Sequence, residues 1–471
     1  MFVSMGENIS QQPVIPVPGD HIPVTSDLQP ERTHTFTKAV VAWGLWDMSG
    51  AAFNAIVTTF VFSVYLTNAK LFGPDANSQL GYALSVAGIL VAVIAPALGQ
   101  SVDRSGKSAL VLRITTLLTV AVITGLFFVS PQENRLWLGL FLLAVGNVLF
   151  ETGSVIYNAM ISDISTPSNV GRISGFGWGL GYIGGIILLL ILFVGFIQPE
   201  VGWFGVTAEN GLNVRAAMLV AALWTLVLAS PLLISAKNKP RRNDLEKLGI
   251  VGSYRRLFAS IRHLWQNDRS VVWFLISSAI YRDGLAGVFT FGAILASAAF
   301  GFAPGEVIIF GIVANVVAGI ATISFGYLDD RLGSRAVIVI SVTAMILFSL
   351  IVFFGHDGIM GMTAKHVYWI FGLGLCIFVG PTQSASRTYL ARIAPKGEEA
   401  ELFGLYATTG RAVSFLAPFM YAAAIGIAAN VTALPQDKVA YTGILGIAAV
   451  LVLGLLAFLP VKTQASHAKS K

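Results

Sequence analysis

Twelve stretches of mostly apolar residues, each about 20 residues or longer, leave this chain few ways to fold. They fall at roughly 39–66, 79–98, 109–130, 136–159, 172–198, 214–235, 270–299, 304–327, 335–355, 365–390, 402–428 and 440–460. About 20 apolar residues are what an α-helix needs to cross the hydrocarbon core of a bilayer. Only 11% of the residues are charged, against about 25% in soluble domains. In lipid the backbone must satisfy its own polar groups, which leaves helices and closed barrels. The runs lack the alternating apolar and polar pattern of barrel strands. The expectation is an all-α polytopic membrane protein with twelve transmembrane helices.

Between the second and third runs lies a charged turn carrying Gly99, Asp103, Arg104, Gly106 and Lys107. The same spacing, G-x-x-x-D-R-x-G, returns between the eighth and ninth runs as Gly326, Asp330, Arg331 and Gly333. Other positions repeat as well. Asp47, Phe53 and Asn54 in the first run match Asp283, Phe289 and Thr290 in the seventh, and Phe176-Gly177 matches Phe403-Gly404. The offset between matching positions changes once, which puts a length difference between the first two runs. Two homologous six-helix bundles are therefore expected. Such halves around a midplane site are the plan of a secondary transporter. Gly99 and Gly106 permit close backbone approach and positive φ. Asp103 is suited to capping the next helix or gripping a neighbouring helix end. Two equally spaced copies predict a gate that locks the halves together at one face.

Lys and Arg orient the chain. Lys70, Arg135, Arg215, Lys365 and Lys438 lie at one face, and Arg282, Arg387 and Arg411 fall inside runs; the rest of the 30 lie with the two termini. By the positive-inside rule both termini are cytoplasmic, in a bacterial-type cell membrane. The segments expected are a disordered tail over 1–37, the first bundle over 38–235, a basic linker over 236–269, the second bundle over 270–461 and a tail over 462–471. Five prolines lie in the first tail, and no signal-peptide pattern precedes the first run. In the linker Tyr254, Leu257, Phe258, Ile261, Leu264 and Trp265 share a helical face among Arg255, Arg256 and Arg262. That pattern predicts a helix lying on an anionic lipid surface.

Charged residues inside the runs are the functional candidates. An ionised side chain at the bilayer centre costs about 2.5–3.5 kcal/mol on insertion scales, so such groups face a cavity or each other. Asp47, Glu151 and Asp283 stand against Arg282, Arg387 and Arg411. At 1.5 Å per residue Asp47 and Glu151 lie roughly 12 Å from the inner face, close enough to share a chamber. Adjacent residues on a helix diverge, so Arg282 and Asp283 each need another partner, and Arg411 is the one suggested for Asp283. Each carboxylate is either a proton or substrate site or a packing ion pair. Arg387 is an inner-gate candidate. Asn54, Asn147, Tyr157, Asn158 and Gln383 are candidate cavity residues, and Pro381 is expected to kink its helix near Gln383.

Several chemistries have no support. Gly179, Gly181 and Gly184 fit G-x-G-x-x-G, but no strand or soluble βαβ unit surrounds them. Instead Gly171, Gly175 and Gly179, and Gly177, Gly181 and Gly185, repeat every four residues, as helix faces that pack closely do. Cys376 is the sole cysteine, so neither an internal disulfide nor a cysteine metal site is expected. No ATP-binding loop, metal motif or nucleophile cluster is present, which argues against an enzyme, a cofactor or a metal. The +6 net charge is spread over short loops, which argues against nucleic acid as a partner.

The doubled turn resembles the signature of the major facilitator superfamily, and the likeness covers the whole twelve-span layout. It implies that superfamily's fold and rocker-type alternating access. Trp43, Trp46, Asp47, Phe53 and Asn54, the Gly171-to-Tyr182 segment, Gln383 to Arg387, and Glu398 to Gly404 together resemble a narrower branch. It is that of the vacuolar efflux permeases of autophagy, which export amino acids, and their bacterial relatives. The function expected is proton-coupled transport of a small, amino-acid-like solute by a monomer in the bilayer. Efflux of amphipathic compounds and a non-transporting receptor are the alternatives.

Overall fold

The computed structural model describes residues 35–240, 250–436 and 438–462. The tail expected over 1–37 lies outside this range up to residue 34, as do residues 241–249 of the linker and 463–471 of the second tail. Among the described residues, twelve helical spans are long and apolar enough to cross a membrane. Spans 1 to 6 are Lys38–Leu66, Ser78–Ser105, Ser108–Phe128, Asn134–Ile164, Val170–Ile197 and Glu209–Ser235. Spans 7 to 12 are Arg269–Ala298, Gly305–Leu332, Ser334–Phe354, Ala364–Ile393, Glu399–Thr432 and Ala440–Phe458. They form two six-helix bundles.

Three departures from regular helix follow from local chemistry. Span 1 begins at the side-chain cap of Thr37, which accepts from the Val40 N–H. It widens to a π-helix over Ala52–Phe60, where the Thr58 and Thr59 hydroxyls donate to the Asn54 carbonyl, each at 2.7 Å. Pro96 in span 2 has no N–H for the carbonyl four residues back, and that carbonyl, on Ala92, accepts instead from the Thr408 hydroxyl of span 11 at 2.9 Å. Span 11 was expected as one helix but is two, Glu399–Val413 and Leu416–Thr432. Pro418 lies in the first turn of the second piece, where a missing N–H is tolerated, and it bars a continuous ladder across the break.

Spans 2 and 8 also run further than their apolar stretches, to Ser105 and Leu332. The charged turns are thus the last two helical turns plus one glycine. Gly106 has φ of 68° and Gly333 of 84°, the left-handed region that ends a helix cheaply with glycine. We call the end of the bundle that carries them the turn end.

The halves meet along spans 5 and 8 and along spans 2 and 11. The glycine repeats make the first of these contacts possible. A Cβ on Gly175 would lie 2.6 Å from the Thr322 carbonyl oxygen of span 8, and one on Gly177 would lie 2.6 Å from the Trp43 ring of span 1. One apolar core runs through the second half and the turn end of the first. A separate core fills only the far end of the first half. The halves therefore share packing at the turn end.

The linker helix spans Ile250–Asn267. It packs against spans 2 and 7, and the Tyr254 hydroxyl donates to the Val93 carbonyl at 2.6 Å. Ile261 and Trp265 stay exposed. Its apolar face is thus divided between span 2 and the surroundings.

Candidate functional site

At the turn end each doubled turn reaches into the opposite half. Asp330 Oδ1 accepts from the Gly171 N–H at 2.7 Å, and its Oδ2 accepts from the Arg172 N–H at 3.2 Å and Arg172 Nε at 2.7 Å. These are the first amides of the span 5 helix. Asp103 Oδ2 accepts from the Glu401 N–H at 2.8 Å, at the start of span 11. A carboxylate at a helix N-terminus satisfies orphan donors and complements the positive end of the helix dipole. The leading glycines are explained by the same crossings. A Cβ on Gly99 would stand 2.1 Å from the Ala400 carbonyl oxygen, and one on Gly326 would stand 2.8 Å from that of Gly171. Arg104 is half-buried, whereas Lys107 and Arg331 are exposed.

Behind Asp330 stands a group that sequence reasoning missed. Arg392, in the last turn of span 10, donates to Asp329 at 2.5 Å, to the Ser334 hydroxyl at 2.9 Å and to Asp330 at 3.2 Å. The only signal was the doubled aspartate itself, Asp329-Asp330. Behind Asp103 the support comes from the linker. The Lys239 N–H donates to the Gly106 carbonyl at 2.8 Å, and its ammonium meets Asp163 at 2.7 Å and Glu399 at 3.9 Å. Burial acts to lower the Lys239 pKa, but the carboxylates of Asp163, Glu399 and Asp103 outweigh it and hold the pKa above its usual value.

One layer deeper lies Arg387 of span 10, 3% exposed. Its Nε donates to the Ser174 hydroxyl at 3.0 Å and its Nη2 to the Ser174 carbonyl at 2.6 Å. Its Nη1 donates to Asp47 and to Asn158, both at 3.1 Å. The guanidinium also lies 4.6 Å from the ring centroid of Trp43, 5.6 Å from Trp178 and 5.8 Å from Tyr157, within cation–π range. Trp43 and Trp46 stack on Tyr157 at 4.5 and 4.2 Å. Efflux of amphipathic compounds would favour an aromatic lining of Trp43, Trp46, Phe53 and Trp178; the first three are core groups at most 4% exposed, and Trp178 is half-buried.

Further from the turn end the pairing differs from expectation. Arg411 of span 11 pairs with Glu151 of span 4, across the halves. It does not meet Asp283. Asp283 Oδ2 instead accepts from the Ala417 N–H at 2.5 Å, capping the second piece of span 11 just after its break. The broken helix frees amides that no run of apolar letters announces, and the carboxylate takes them. Nor do Asp47 and Glu151 share a partner, since each is held by its own arginine. Arg282 stacks on the Tyr406 ring at 3.8 Å and donates to the Tyr406 carbonyl at 3.2 Å. Gln383 is half-buried, and the repeat-related Asn54 and Thr290 are both exposed.

Among the described residues, the hydrogen bonds and ion pairs that join the halves lie between the turn end and the Arg411–Glu151 pair. The first piece of span 11 packs on spans 2 and 4, whereas the second packs within its own half. The assembly is closed by polar contacts at one end. MFS-type architecture is expected from such an arrangement, and comparison with known proteins settles the family. Residues 167–469 match the family model "Vacuole effluxer Atg22 like", and residues 11–189 match that of the major facilitator superfamily.

The chain belongs to the vacuole effluxer Atg22 like family. Along its length it resembles an uncharacterized MFS-type transporter of Bacillus subtilis, YxiO, at 25% identity over 91% of this chain and 96% of that one. It also resembles autophagy-related protein 22-1 of Neosartorya fischeri, at 23% identity over 52% of this chain and 42% of the fungal protein. The chain thus matches less than half the length of that relative. Among solved structures the proton:xylose symporter XylE shares the fold, with a TM-score of 0.67 at 13% identity over 90% and 96% of the two chains. This Atg22-like chain is an integral, multi-pass MFS transporter.

Proposed function

We infer that this transporter carries a small, amino-acid-like solute between its two halves and couples that movement to protons. One observation carries the reading: the halves are joined by polar latches confined to one end. Carboxylates on helix ends, arginine on carboxylate and hydroxyl on a proline-freed carbonyl can all break and re-form at small net cost, because water can replace each partner. Continuous apolar packing across the whole interface would not part so readily. The Lys and Arg bias supports a cytoplasmic turn end, a conformation closed inside and cytoplasmic termini, and the reading takes a bacterial-type cell membrane as the location. A monomer suffices for this reading, since each latch can be completed within one chain.

Asp47, Glu151 and Asp283 are the proton-carrying candidates. Each contact that fixes them is to the opposite half or to a break in a helix, so a rocking motion changes the environment of the carboxylate and with it the preferred protonation state. Asn54, Asn158, Arg282, Gln383, Arg387 and Arg411 complete the candidate solute path. The test is uptake into proteoliposomes with an imposed pH gradient. Asp47→Asn and Asp283→Asn should each uncouple uptake from the gradient. Uptake by the wild type that ignores the gradient sinks the proton coupling.

A further inference from the structure

Arg387 belongs to the second half, yet its described polar partners all belong to the first: Asp47, Asn158 and Ser174. The aromatic faces around it, Trp43, Tyr157 and Trp178, are also from the first half. The second half thus inserts a side-chain cation among polar and aromatic groups of the first. The pocket has the parts that hold a guanidinium: one carboxylate, carbonyl and hydroxyl acceptors, and π-faces that replace water around a delocalised cation. When the halves part at the turn end, Arg387 leaves with its own half. The pocket then keeps a partly exposed carboxylate, set beside aromatic faces, without its cation, which is the arrangement that attracts an incoming delocalised cation.

We propose that the pocket filled by Arg387 is a cargo site for a guanidinium or primary alkylammonium group, and that Arg387 is the internal competitor for it. The cargo cation takes the place of Arg387 when the turn end opens and is expelled by Arg387 when it closes. This rests on the transport reading above and names the class of solute for it. The exchange explains why a residue so deeply buried has its polar contacts across the dividing surface.

Methylguanidinium chloride is the probe, with sodium chloride at equal ionic strength as control, on full-length protein in detergent. Binding is read by tryptophan fluorescence, since Trp43 and Trp178 face the site, and by calorimetry. Weakening both latches with Asp103→Asn and Asp330→Asn should raise affinity for the probe at least tenfold over wild type. Adding Asp47→Asn to that background should abolish the gain. Arg387→Ala, which vacates the pocket with the latches intact, provides a second route and should bind the probe saturably in an Asp47-dependent manner. Binding that survives Asp47→Asn, or no binding by either the latch variant or Arg387→Ala, overturns the proposal. Flux of an uncharged solute through liposomes without any probe binding would overturn it while leaving the transport reading intact. Probe binding without flux of any solute would leave the site and refute transport.

Discussion

The two copies of the charged turn present the same carboxylate to the same kind of target, yet each rests on a different foundation. Asp330 caps span 5 and is braced by Arg172 and Arg392, in a cluster where the Asp329, Asp330 and Arg392 side chains are all below 10% exposed. Asp103 caps span 11 with Lys239 behind it, a lysine whose side chain is 40% exposed and which comes from the connection leaving span 6. Duplication preserved the backbone geometry, a carboxylate on the helix N-terminus of the other half. It did not preserve the charges that hold the carboxylate in place. The lesson is that a repeated motif can specify a contact without specifying its strength. From these contacts the second copy is expected to be the stiffer latch and the first to yield earlier.

The largest expected effect comes from Asp330→Ala. It takes the carboxylate from Arg172, removes one of the two aspartates on Arg392 and leaves two helix amides without a partner. Breaking such a buried cluster costs about 3–5 kcal/mol, read as a lower thermal midpoint and as new cysteine accessibility at the turn end. Gly99→Val comes next. Its side chain has no room against the Ala400 carbonyl, and overpacking of this kind costs about 1–3 kcal/mol. It should favour opening without altering any charge. Asp103→Asn removes a charge from a helix N-terminus and should cost about 1 kcal/mol, clearly less than Asp330→Ala in the same assays. Equal effects of the two aspartate variants would erase the difference between the latches.

The smallest effect belongs to Lys239→Met. A partly exposed ion pair contributes less than about 1 kcal/mol and is screened by salt. Because the Lys239 pKa is raised above its ordinary value of 10.5, its contribution is fully present below that pH and is lost only as pH rises further. Between pH 6 and pH 8 the lysine itself therefore stays charged, so any change in the effect of Lys239→Met over that interval comes from its carboxylate partners Asp163, Glu399 and Asp103. A strong pH dependence over that interval would show that a carboxylate, and not the lysine, limits this latch.

Much of this architecture is legible in the letters. Apolar length fixes the spans, and the two glycine faces of span 5 are visible at a spacing of four before any partner is known. The turn glycines are recognisable because few other residues take positive φ at a helix end. What is not legible is rotation and depth. Which way Arg411 points depends on how span 11 is turned against span 4, and no local pattern encodes that angle, so Glu151 was not paired with it. The ends of spans 2 and 8 are not legible from apolar length alone, because a helix continues past the apolar core wherever water or another helix end can receive its charges. The role of Asp283 was hidden behind the break in span 11, whose one signal was Pro418.

The central claim is that latches at the turn end hold this conformation closed and that their release opens that end while the far end shuts. Spin labels at positions 107 and 396, both exposed at the turn end, and at positions 70 and 360, both exposed at the far end, report the two distances separately. In the background of Asp330→Ala, pulsed electron resonance should show the first distance lengthening and the second shortening. A pair of distances that both stay at their wild-type values, in protein that still moves solute, would contradict the account.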